Sequence, residues 1–410
     1  MPRLREATPA QWRAFWATFL GWVLDGFDFT IVTFLLIDIQ RSFDVNAALA
    51  GALGTATLFF RVAGGILSGT AADKWGRKIP LMLSILWYSV FACLGGFATS
   101  YRVLFAFRAL FGIGMGGVWA AGMPLTMEHW PARLRGAISG LVQSGYSVGF
   151  ILSALAFQFI YPLVNGGGEL GWRVMLWIGI LPAALVVWIL RRVDESPVWL
   201  ARQRGLTERQ EHNAVSLPRL FRRDLLPVTL HASLVLGAFL FFYQGFTFWY
   251  PTLLAAAGRE SLPYLLALNA SGVAATLLCG RISQTRLGRR GAATLMVTIA
   301  VLSLPLFLAM DGSSARVFLG AALMGPGVGV FGMVPSYLTE RFPTAARAAG
   351  AGFTYHVGAA IAALDPWVVG WLQDGGMPLA RAMMLSVAAA GAFGVVLLWL
   401  GPETRGREFD

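Results

Sequence analysis

Apolar residues fall in blocks of about 20, the length of helix that crosses the hydrocarbon core of a bilayer. Twelve such blocks lie near 15–37, 50–71, 79–97, 103–126, 136–160, 172–190, 227–255, 262–280, 292–310, 315–338, 347–371 and 380–399. Polar residues inside them do not alternate with period two, so the blocks predict helices and not barrel strands. The longest polar stretch, residues 191–224, follows the sixth block and divides the chain six and six. It predicts a cytoplasmic linker with an amphipathic surface helix. The expected organisation is an N-terminal bundle at 1–190, a linker at 191–226 and a C-terminal bundle at 227–410.

The halves repeat each other. Glu128-His-Trp-Pro131-Ala-Arg-Leu-Arg135 follows the fourth block and Glu340-Arg-Phe-Pro343-Thr-Ala-Ala-Arg347 follows the tenth, at an offset of 212. The same offset carries Gly76-Arg77-Lys78 onto Gly288-Arg289-Arg290. Asp-Glu-Ser at 194–196 and Pro-Glu-Thr at 402–404 end the halves alike. The fold class is therefore all-α and integral to the membrane, with twelve transmembrane helices in two six-helix bundles. Related bundles in one membrane point to a midplane site between them, reached alternately from each side.

Composition agrees: 57% of the residues are hydrophobic and the mean hydropathy is +0.64. The net charge of +11 invites a nucleic-acid reading, but its distribution is topological. Only Arg41, Arg102, Arg173, Arg259, Arg316 and Arg381 fall in the alternate loops, and Arg61 and Arg108 fall inside blocks. The other Lys and Arg residues share one side, which the positive-inside rule makes cytoplasmic along with both termini. No nucleic-acid partner is expected, and the lipid bilayer is. The first block is too long for a signal h-region and lacks a cleavage site, so it is expected to be retained. Trp12, Trp16 and Trp22 suit an interfacial belt. Cys93 and Cys279 both fall in blocks, make no disulfide framework and fit no metal site. No Walker motif, zinc spacing or nucleophile triad is present, so no cofactor and no enzyme activity are expected.

Charged residues inside membrane helices cost roughly 2.5–3.5 kcal/mol each at the centre on a translocon scale. Asp25 and Asp28, in LDGFDF, share one helix face. At 1.5 Å per residue they lie about 15 and 20 Å from the inner boundary, with Arg61 about 16 Å and Arg108 about 8 Å below the outer one. Depth favours Asp25 with Arg61 and Asp28 with Arg108, although a shift of the boundaries would exchange the partners. Two fixed ion pairs would merely lock the helices. A proton site is the functional alternative, since a buried acid beside a cation exchanges a proton when its surroundings change. Tyr243 and Gln244, in FFYQGFTFWYP with Pro251 breaking the helix, form either an aromatic belt or a substrate wall. Gln143, Tyr146, Arg61, Arg108 and His356 are the other candidate pocket residues, and Asp365 is a further acid in the eleventh block. Glycines 112, 114, 116, 117, 140, 145 and 149 suit close helix packing. Asp73, Arg77, Glu128, Arg135, Glu340 and Arg347 are candidate gate residues at the inner mouth.

Gly69…Asp73…Gly76-Arg77-Lys78 with Arg108 resembles the signature of the major facilitator superfamily. LDGFDF, RVAGG at 61–65, GIGMGG at 112–117, EHWPARLRG at 128–136, QSGYSVG at 143–149, ESPVWL at 195–200 and ERFPTAAR at 340–347 resemble the bacterial metabolite:proton symporters. The sialate:proton and aromatic-acid:proton branches are the most similar. The resemblance implies import of a small organic anion with a proton across the bacterial inner membrane. It implies coupling roles for Asp25, Asp28 and Arg108, and an inner gate at Asp73 and Arg77. A monomer is expected. Val118 stands where such symporters often have Glu, and Tyr355-His356-Val-Gly-Ala359 replaces a Tyr-Asn-x-Gly-Arg pattern. The Gly-Pro pattern of antiporter span five is absent from 140–154, which favours symport over the alternative, a proton-coupled exporter of the same fold.

Overall fold

A computed structural model describes residues 7–45, 47–165, 169–208 and 216–409. Residues 209–215 of the expected linker lie outside that range. The chain opens with α1 (Pro9–Phe43), α2 (Ala47–Trp75), α3 (Lys78–Gly95), α4 (Tyr101–His129) and α5 (Ala132–Phe159). Thr8 starts α1 with a capping box: its side chain accepts the Gln11 N–H while Gln11 accepts the Thr8 N–H, satisfying donors that a helix start leaves orphaned. Pro9, lacking an N–H, sits at the first helical position where none is needed. The one-turn α6 (Tyr161–Val164) precedes a sixth crossing made of α7 (Leu170–Trp177) and α8 (Ala183–Arg192), joined through a 3-10 turn at Ile178–Ile180. The expected surface helix is α9 (Pro197–Glu208), and α10 (Ser216–Arg219) is a single turn.

The second half follows as α11 (Leu226–Thr247), α12 (Tyr250–Ala256), α13 (Ser261–Ile282) and α14 (Gly288–Phe307). Then come α15 (Ser314–Gly329), a 3-10 turn at Val330–Met333, α16 (Val334–Arg341), α17 (Arg347–Ala362), α18 (Asp365–Asp374) and α19 (Leu379–Leu400). Pro326 and Pro335 flank the break between α15 and α16, as the loss of an N–H there requires. Among the described residues, eleven helices are long and apolar enough to cross a membrane. The expected eleventh block is the exception, because a turn at Ala363–Leu364 divides it into α17 and α18. The seventh block also breaks, at Phe248–Trp249, two residues before Pro251.

Large apolar side chains such as Phe59, Leu163, Leu302 and Leu400 are well exposed around the outside. Lipid tails are as apolar as leucine, so such a surface carries no penalty in a bilayer. The tryptophan belt is corrected in one member: Trp16 is exposed, but Trp22 is only 1% exposed and belongs to the interior.

Within the first half α1 packs on α5 and α2 on α4. Gly116 permits the second contact, since a Cβ there would collide with the Arg61 carbonyl oxygen. The halves meet along two seams, α2 against α17 and α5 against α13. Gln11 donates to the His129 carbonyl and Arg135 to that of Arg407, so both ends of the chain share one face, the terminal face.

Candidate functional site

At the terminal face each half builds the same clamp. Arg77 donates to both oxygens of Glu128, at 3.2 and 3.0 Å, and Arg289 to both oxygens of Glu340, at 3.2 and 2.7 Å. The Ser196 hydroxyl donates to Glu128 and the Thr404 hydroxyl to Glu340. Glu195 accepts the N–H groups of Arg77 and Lys78, and Glu403 those of Arg289 and Arg290. Gly76 and Gly288 make room for these acids with φ of +95° and +68°, a left-handed backbone that glycine adopts without strain. Burial opposes the charge on Glu403. The N–H donors of Arg289, Arg405, Arg290 and Thr404 outweigh it and hold the carboxyl below its usual pKa.

Several of these residues also join the halves. Arg347 donates to Glu128 at 2.9 Å, and Arg77 to the Thr344 carbonyl. Asp73 bonds Arg77 at 2.9 Å and accepts the first N–H groups of α17, from Ala348 and Ala349. A carboxylate at a helix start meets both unpaired donors and the positive end of the dipole. Gln284 donates to the Ala132 carbonyl and Ser336 to Ser139. The terminal face is therefore closed. Arg135, the repeat partner of Arg347, does not reach Glu340 in the same way. It donates to the Met127, Trp130 and Arg407 carbonyls and approaches Glu408 at 3.7 Å.

Deeper in the first half lie Asp25, Asp28, Arg61 and Arg108, all at most 6% exposed. The expected ion pairs are not formed. Arg108 donates instead to the backbone carbonyl of Asp28, at 3.4 Å, and lies over Phe111. Both carboxylate oxygens of Asp25, Oδ2 of Asp28 and Nε of Arg108 are buried without a hydrogen-bond partner. The physical reason for the difference is the aromatic packing of Arg61. Its guanidinium lies 5.2 Å from the Trp22 ring and 5.7 Å from the Tyr355 ring, with Nε and Nη2 unpartnered.

Tyr355 stacks on Trp119 across the seam, 4.1 Å between centroids, and Trp22 touches Tyr146 at 5.3 Å. Trp22 and Tyr355 thus flank Arg61, each backed by a second ring. Gln143 is buried with Oε1 unpartnered. Tyr243 and Gln244 are half-buried on α11, and Tyr243 touches Phe331. The rest of the expected aromatic wall turns inward: Phe246 and Tyr250 pack on Phe307.

His356 is fully buried in the α2–α17 seam, where a Cβ on Gly65 would collide with its Nδ1. Nδ1 pairs with the Gly352 carbonyl and Nε2 has no partner. Asp365 stands apart from the other acids, bonded by the Ser386 hydroxyl and close to Gly245. No group of potential metal ligands occurs among the described residues. The sequence reading missed Trp22 and Tyr355 as the rings beside Arg61 and Trp119 as the ring stacked on Tyr355. Trp22 had a signal, since it lies three positions before Asp25 on the same helix face. Arg289 had one too, as the image of Arg77 under the 212-residue offset.

Comparison with known proteins gives the chain's relatives. The family model described as Major Facilitator Superfamily matches residues 18–366. A probable 4-methylmuconolactone transporter of Cupriavidus pinatubonensis is 33% identical, covering 98% of this chain and 93% of the relative. The sialic acid transporter NanX of Escherichia coli is 29% identical over 87% of this chain and 85% of its own. The cis,cis-muconate transport protein of Acinetobacter baylyi is 28% identical over 88% of each. Among solved structures, the proton:xylose symporter XylE superposes with a TM-score of 0.76 at 17% identity, covering 98% of both chains.

Proposed function

The chain belongs to the Major Facilitator Superfamily, and from that premise we propose that it imports a small carboxylate together with a proton by alternating access. It is a transport protein and not an enzyme. One observation carries the finer reading: charged atoms of Asp25, Asp28, Arg61 and Arg108 are buried and unpartnered. Pairs that only lock helices would be satisfied, because an uncompensated buried charge costs several kcal/mol. Orphaned acids and cations instead await a proton and an anion. Arg61, framed by rings at the seam, is the anchor for the substrate carboxylate, and Tyr146, Gln143, Tyr243 and Gln244 contribute the walls. Asp28 and Asp25, inside the first half, carry the proton, with Arg108 between binding and coupling.

The closed terminal face corresponds to one end state of the cycle. By the positive-inside rule it is cytoplasmic, in the inner membrane of a bacterium. The relatives' names support an organic-acid substrate. The test is uptake into proteoliposomes of muconate, benzoate, lactate and sialic acid, with and without an inward proton gradient. Accumulation of a carboxylate only with the gradient is expected. Accumulation driven by an outward gradient would support the exporter instead.

A further inference from the structure

The two repeated arginines, Arg135 and Arg347, come from opposite halves, yet one ring serves both. The Phe409 ring centroid lies 3.4 Å from the Arg135 guanidinium carbon and 3.8 Å from that of Arg347. The segment leading to it is tied down as well: Arg135 donates to the Arg407 carbonyl at 2.7 Å and approaches Glu408 at 3.7 Å. Both arginines are almost fully buried.

Two guanidiniums gathered at one seam repel each other. Arg347 has Glu128 at 2.9 Å to offset its charge, whereas the ion pair of Arg135 is the longer one with the largely exposed Glu408. The face of an aromatic ring is negative and attracts cations from above it. Phe409 therefore supplies what the second clamp lacks. We propose that Phe409 is a clasp that holds Arg135 and Arg347 together across the seam and so keeps the terminal face shut. The segment 405–409 then sets how readily the face opens. This requires only that the halves move against each other, and is independent of the substrate reading.

The test needs no substrate. Nitroxides are placed on Arg192→Cys and Arg286→Cys, exposed positions of the terminal face on opposite halves, in a chain whose Cys93 and Cys279 are alanine. Pulsed EPR then reads the balance of short and long distances. Two cation–π contacts are worth a shift of roughly five- to thirtyfold in that balance. Phe409→Ala is expected to move it that far toward the long distance, and Phe409→Trp to leave it unchanged. Phe409→Leu, which keeps apolar bulk but no ring, is expected to behave like Phe409→Ala. An unchanged distribution in Phe409→Ala, or full retention of the short distance in Phe409→Leu, would overturn the clasp.

Discussion

At the scale of single residues, the proposed function assigns the labour of a coupled carrier to two side chains. Arg61 is a residue at which arginine and lysine are not interchangeable. Its flat guanidinium lies near two rings, and a planar fork suits both stacking and bidentate carboxylate binding. Arg61→Lys keeps the charge but loses the fork, and should weaken carboxylate binding by about tenfold, as read by isothermal titration; unaltered affinity would move the anchor elsewhere. Asp28 is the proposed proton carrier, with Asp25 assisting, because Arg108 is held beside it by its backbone carbonyl and leaves its carboxylate unbonded. Asp28→Asn mimics the protonated acid. It should abolish uphill accumulation driven by a proton gradient while preserving exchange between preloaded vesicles and medium. Asp25→Asn should act more weakly in the same assay. If Asp28→Asn still concentrates substrate with normal pH dependence, the proton resides elsewhere, and Asp365 becomes the next candidate.

At the scale of elements, each half fastens its last segment back onto the turn after its second helix, through Glu195 and Glu403. Glu403 titrates lower in the folded chain than in the unfolded one, because four backbone N–H groups bind its anion. Its stabilisation is therefore complete above the unfolded glutamate value and fades as pH falls through the depressed folded value. Glu403→Gln should lower the melting temperature at neutral pH, with the gap from the wild type closing on acidification. A gap that widens toward acid would reverse the sign and refute the assignment. The elements also show what a sequence makes legible. Twelve apolar blocks and one offset of 212 were enough for the crossings and for the motifs that build both Arg–Glu clamps, because hydrophobic length and duplication are local properties. The breaks at Ala363–Leu364 and Phe248–Trp249 were blurred, since apolar composition runs on through them. The ion pairs were misread because depth along one helix says nothing about rotation toward a ring on another. Trp22 had the right depth for Arg61 but carried the look of an interfacial anchor. The packing of His356 on Gly65 of α2 was equally out of reach, since it is a contact between helices of different halves.

At the scale of the whole molecule, opening the terminal face means releasing Asp73 from α17 and Arg347 from Glu128. Asp73→Asn weakens the first of these at a site far from Arg61. It should slow transport several-fold while leaving equilibrium binding of the carboxylate within about twofold, since it biases the balance between facing states. Lost binding with normal transport would contradict a gating role. Orientation is checked separately: an impermeant thiol reagent added outside intact cells should label Thr99→Cys and miss Thr207→Cys. Each Arg–Glu–hydroxyl clamp lies wholly inside its own half, with its closing Ser196 or Thr404 supplied by that half's own trailing segment. Buckled in this way, each half is stiff at the end where force is applied. In the proposed alternating-access cycle a rocking motion would not need to deform either bundle, and its barrier would reside in the bonds that cross between them. Turnover speed can then be tuned by substitutions at the seam without loosening the architecture that carries the cargo.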